Sequence, residues 1–227
     1  MSLAWTLGTA AAIAAALTML GRRERRALRA ARGSILDAVE DQFSSAQLTT
    51  DDAGFPRVAG VINGRRLRLD LIPDTMTIRR LPQLWLAVTD VQPLPLANRG
   101  VAILVRPSGA DYYSLTERMT YRLDPPAGFP WESLVKGETA QSASTLDRIR
   151  QTAAAVLADP KVKEIAVTQR GVRIVRQLSE GKRGDHLLLR QCAFDGARLD
   201  PLDLKNLLTQ LEHLSQALRD ASKGQAA

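Results

Sequence analysis

The chain has 227 residues, 45% of them apolar and 4% aromatic, a formal charge of +7 and one cysteine. Its length and apolar content suffice for one buried core or two small ones, and one cysteine excludes an internal disulfide framework and any multi-cysteine metal site. Residues 22–32 hold six arginines and one glutamate, so they supply +5 of the +7 and leave the rest of the chain at +2. A nucleic-acid-binding domain carries its basic excess on the folded surface, so nucleic acid is not an expected partner.

From Leu3 to Leu20 the sequence LAWTLGTAAAIAAALTML has no charge. A helix that crosses the hydrocarbon core needs about 20 mostly apolar residues, and residues 1–21 read as a single transmembrane anchor with Trp5 in the interfacial belt. A signal peptide carries positive charge ahead of its apolar run, whereas only Met1 and Ser2 stand there. Arg22, Arg23, Arg25, Arg26, Arg29 and Arg32 follow, and basic residues beside a span stay cytoplasmic. The expected location is the bacterial inner membrane, single-pass, with the N-terminus outside, the remainder in the cytoplasm and the arginines against lipid headgroups. Gly8, Ala12 and Ala16, or Ala11 and Ala15, have the small-residue spacing that lets two helices approach closely.

Leu28, Ile35, Leu36, Val39 and Phe43 recur at helical spacing, so a basic juxtamembrane helix is expected over residues 22–47. An apolar stripe needs a cover. Packing on its own domain is the commoner use, and the membrane surface or another chain are the others, so these five residues are the candidate partner contacts. Residues 48–54 (LTTDDAG) read as a linker. Strands at 57–62 and 65–71 flank Asn63-Gly64, a hairpin signal because both turn positions need positive φ. Further strands are expected at 75–80, 84–89 and 101–106, so residues 55–136 form an antiparallel, β-rich half.

Residues 137–144 read as a second linker. Ser144 and Asp147 resemble a capping box ahead of Leu146, Ile149, Ala153, Val156 and Leu157. Strands follow at 162–169, 171–178 and 186–194. Asp200 and Pro201 then open a last helix with Leu204, Leu207, Leu208, Leu211, Leu214 and Leu218 on one face. Residues 144–222 are thus an α-β-β-β-α half, and 223–227 a frayed tail. The expected class is α+β: a transmembrane helix, a juxtamembrane helix, and a mixed, mainly antiparallel sheet domain with two helices in its C-terminal half.

No phosphate loop, dinucleotide fingerprint, zinc-protease motif or nucleophile elbow occurs. His186 and Cys192, six residues apart on one expected strand, would stand about 20 Å from each other, too far for a thiolate–imidazole pair. Asp185-His186 lacks a third partner at defined spacing, and Asp51-Asp52 in a turn serves the backbone. No catalytic, cofactor or metal residue is assigned and no cofactor is expected. The reading is a membrane-anchored accessory, assembly or scaffold protein whose cytoplasmic domain binds a membrane protein or a second copy. The alternatives are a membrane-tethered enzyme and a membrane-localised nucleic-acid binder using the arginines, whose affinity would fall steeply with salt.

Overall fold

Asn63 and Gly64 both adopt positive φ (51° and 76°), and the tight turn they make sets the register of the hairpin around them. The structure is a computed structural model that describes residues 3–75, 81–181, 194 and 196–223. Its strands are β1 (Ser44–Thr50), β2 (Pro56–Ile62), β3 (Arg65–Asp74), β4 (Gln83–Asp90), β5 (Val101–Val105), β6 (Tyr121–Leu123), β7 (Ser133–Gly137), β8 (Val162–Thr168) and β9 (Gly171–Glu180). The helices are α1 (Leu3–Gly33), α2 (Asp37–Glu40), α3 (Ser142–Leu157) and α4 (Pro201–Lys223). The strands form one sheet in the order β1-β2-β3-β4-β9-β8-β5-β7-β6. Every neighbouring pair is antiparallel. Because β9 and β8 lie between β4 and β5, both stretches of the chain contribute to one sheet.

Alternation along each strand sends one row of side chains to each face. One face is apolar. A single cross-strand row runs through Leu48, Val58, Leu69, Val88, Ile174, Ile165, Ile103, Val135 and Leu123, one residue from each strand. From Val58 to Leu123 these residues are buried, in one core with Leu146, Ile149 and Val156 of α3 and Leu204, Leu207, Leu211 and Leu214 of α4. At about 25 cal/mol per Å² this burial is the main stabilising term. Asp200 begins α4 by accepting the Leu202 N–H at 2.7 Å, and Arg176 of β9 ties Asp159 (3.0 Å) to Asp203 (3.1 Å), fixing the helix start to the sheet. Gly171 turns β8 into β9 at φ 139°, where a Cβ would stand 1.9 Å from the Asp90 carbonyl oxygen, so no side chain fits.

The transmembrane anchor is overturned: among the described residues no helix is long and apolar enough to cross a membrane. Eleven of the eighteen residues from Leu3 to Leu20 are Ala, Thr or Gly, whose small side chains contribute little transfer energy. The inner-membrane, N-outside topology built on that anchor falls with it. Nor do the arginines form only a headgroup patch. Arg32 donates to the Ala53 carbonyl at 2.6 Å and lies 4.9 Å over the Phe55 ring, and the Arg29 stem packs beside Gly54. Arg22, Arg23 and Arg26 are exposed, while the side chains of Trp5 and Arg25 lie outside the described residues.

The expected fold class is corrected in three further respects. The sheet is antiparallel throughout rather than mixed, and it dominates the molecule. The helix expected to reach residue 47 stops at Gly33, continues as a 3-10 turn (Ser34–Leu36) and α2, and ends at Glu40. The expected linker at 48–54 is partly strand, because β2 supplies a ladder to Gln47, Leu48, Thr49 and Thr50. α3 begins at Ser142, whose Oγ accepts the Thr139 N–H at 3.2 Å; Ser144 lies one step inside, bonded to the Gln141 carbonyl at 2.8 Å, so the capping box does not form. The expected strand at 186–194, most of that at 75–80, and the tail after Lys223 lie outside the described residues.

Candidate functional site

On the sheet face opposite α3 and α4, β8 reads VKEIAVT, with two charged residues inside an apolar strand. Register shifts between Val162 and Glu164 opposite β9. This bulge adds one residue to β8, so Lys163 and Glu164 serve the same side. Beside them stand Arg173 of β9, Trp85 of β4 and Asp74 of β3. The connection between β5 and β6 folds over all of them, carrying Asp111, Tyr113, Ser114 and the 3-10 turn Leu115–Arg118.

Each charge has partners in that connection. Lys163 Nζ donates to the Arg106 carbonyl at 2.5 Å and stands 3.1 Å from Asp111 Oδ1, with the Trp85 ring 5.9 Å away. Asp111 Oδ2 accepts the Ser108 N–H at 2.6 Å. Glu164 Oε1 accepts from Ser114 Oγ at 2.5 Å and from the Leu115 N–H at 2.7 Å. Arg173 donates to the Tyr113 carbonyl at 3.0 Å and stands 3.4 Å from Glu164 Oε2. The Trp85 indole N–H donates to Asp74 Oδ2 at 3.5 Å. Among the described residues, three carboxylates and two cations meet at this buried site.

Burial pushes the Glu164 carboxyl above the usual carboxylate range, a rise that nearby Asp111 reinforces and that Arg173, Ser114 and the Leu115 N–H oppose. Burial, then Asp111, Asp74 and Glu164, also hold the Tyr113 hydroxyl above its ordinary value. Tyr112, its neighbour, is mostly exposed and donates to the Pro73 carbonyl at 2.9 Å. One ring of the pair is inside and the other outside.

The cluster is a latch. Lys163, Glu164 and Arg173 all hold the connection. A shallow cleft of about 230 Å³ lies at its rim, lined by Leu104, Pro107, Asp111, Tyr112, Glu117 and Leu134 among others. A second depression, of about 250 Å³, lies on the same face near β1, with Gln47, Thr49, Arg57 and Arg68 in its wall. Both of its arginines already converge on Asp70, Arg57 at 3.5 Å and Arg68 at 2.7 Å. Among the described residues no group of His, Cys, Asp and Glu has the arrangement to hold a metal ion.

The residues singled out from sequence fall elsewhere. Ile35, Leu36, Val39 and Phe43, candidate partner contacts, are buried in the chain's own core, and Leu28 is half-buried. Phe43 enters because Gly60 leaves room: a Cβ there would come within 3.0 Å of its ring. Asp51 Oδ1 accepts the Phe55 N–H at 2.8 Å, a backbone role. Asp185, His186 and Cys192 lie outside the described residues. Sequence reading missed Lys163, Glu164 and Arg173, although adjacent charges within VKEIAVT were a readable sign. No family model, curated protein or solved structure matches the chain.

Proposed function

We propose that the chain is a non-catalytic interaction module, an accessory or assembly protein that offers α1 to a helix of another protein. The observation that carries this reading is the state of α1. Its last turns are tied to the start of β2 through Arg29 and Arg32, while Ile13, Met19 and Leu20 are all exposed. Ile13 and Leu20, seven residues apart, share one helical face. Large apolar side chains gathered on one exposed helix are a usual mark of a docking surface. The charged cluster adds support from the other side, since Lys163, Glu164 and Arg173 are engaged in holding a loop.

The test places a photo-cross-linking residue at Leu20 of the full chain in its native cells, with a control at exposed Thr209 of α4. A discrete protein adduct at residue 20, absent at residue 209 and lost when Ile13→Glu is added, is the expected result. Indistinguishable patterns at the two sites would remove α1 as the contact.

A further inference from the structure

We infer that β1 pairs with β1 of a second copy of this chain, in antiparallel register centred on Leu48. The apolar row that crosses the sheet is the first observation. Eight of its nine members are buried, and Leu48 at the outer strand is 49% exposed. The row therefore stops at an open end where nothing in the described chain covers it.

The backbone supplies the second observation. Among the described residues β1 terminates the sheet and has β2 as its only strand neighbour, and all seven of its residues are exposed. In an antiparallel pair, residues alternate between those bonded to one neighbour and those bonded to the other. Asp51 donates its N–H to the Phe55 carbonyl at 3.0 Å, so by register Gln47 and Thr49 also bond inward to β2. Leu48 and Thr50 then direct their N–H and carbonyl groups outward. A two-fold axis through Leu48 makes Leu48 and its copy a hydrogen-bonded pair, and the same operation places Ala46 against Thr50 and Gln47 against Thr49.

The third observation is what the edge lacks. Edge strands are ordinarily protected by charge, by proline or by being very short, yet Ser44–Thr50 reads SSAQLTT, with neither charge nor proline. The irregularity in β1 falls between Ser44 and Gln47, which leaves Gln47 to Thr50 regular. In the proposed register no like charges meet. Gln47 of one copy faces Thr49 of the other on the polar side of the sheet, while Leu48 meets its copy on the apolar side and prolongs the row across both subunits. The far edge, β6, has only three residues and an exposed Arg122, so it offers no equivalent.

The experiment measures the mass of the purified full chain by light scattering across a dilution series, beside Leu48→Lys. The wild type is expected to dimerise, and Leu48→Lys, which sets two cations against each other at the axis, to dissociate at least about tenfold more readily. Because Leu48 is exposed within one subunit, that variant should keep its circular dichroism and melting point. In a Cys192→Ser background, Leu48→Cys should form a covalent dimer on mild oxidation, since facing strand residues lie about 5.5 Å apart. A wild type that stays monomeric at about 100 μM, or a dimer that Leu48→Lys leaves intact, would overturn the proposal. Dimers held by α1 would show the second pattern, so the two surfaces are told apart.

Discussion

The two faces of the sheet solve the same problem with opposite chemistry. Towards α3 and α4, burial is mainly apolar: Ile165, Ile174 and Val88 share one core with leucines of those helices, and the directed contacts, Arg65 with Asp90 and Arg176 with Asp159 and Asp203, are few. Towards the β5–β6 connection, burial is ionic, and Lys163, Glu164 and Arg173 each need a partner at a fixed place. An apolar face tolerates slippage by small repacking, because its energy follows area. An ionic face holds one loop conformation, because a misplaced partner leaves a charge buried and alone. The irregular connection is thus held by directed charges as well as by two small apolar clusters, one around Trp85 and Tyr113 and one around Met119.

This contrast is open to direct attack. The largest effect is expected at Lys163→Met, which leaves Asp111 buried without its cation and should cost about 3–5 kcal/mol in urea unfolding. Ile165→Val, two positions away on the other face, should cost only about 0.5–1.5 kcal/mol. Equal losses at the two positions would erase the distinction. A pH series gives the next effect. Because Glu164 has a folded pKa above its ordinary 4.5, the folded state holds that proton more tightly than the unfolded chain does. Its contribution is therefore complete below about pH 4.5 and is lost as pH rises through the folded value, with a limiting slope of about 1.4 kcal/mol per pH unit. Glu164→Gln should flatten that part of the stability curve, and an unchanged slope would move the effect to another group. Tyr112→Phe removes only the bond to the Pro73 carbonyl at the latch's exposed rim. About 0.5 kcal/mol is expected there, and a loss comparable to that of Lys163→Met would mean that the rim, not the buried charges, secures the loop.

Much of the apolar face was legible in the sequence. The alternation in RRLRLDL, the Asn63-Gly64 turn, and the leucine periodicity after Pro201 each report a local geometry that few residues enforce. The ionic face was not. Ser114 and Glu164 are fifty positions apart, and nothing in either neighbourhood says that one will bond the other. Charges in VKEIAVT signalled that something buried must meet them, but not what. The apolar stretch from Leu3 reads as a span from its length, its lack of charge and the arginines beside it, and its Ala, Thr and Gly content makes that a weaker signal than a leucine-rich run of the same length. Ile35, Leu36, Val39 and Phe43 pack on the chain's own core, the commonest of the covers the sequence left open, because helical periodicity tells which side is apolar and is silent on what covers it.

The sequence by itself determined the strands β2, β3, β4, β5, β8 and β9, the helices α3 and α4, how the β2–β3 hairpin turns, and that the basic charge gathers in residues 22–32. Local sterics and periodicity are enough for each of these. Only the tertiary structure decided that β9 and β8 enter between β4 and β5, that Lys163 meets Asp111, and that Leu48 alone of its row faces solvent. Those outcomes depend on long-range pairing, in which burying a charge or closing a row becomes favourable only once distant segments have come together.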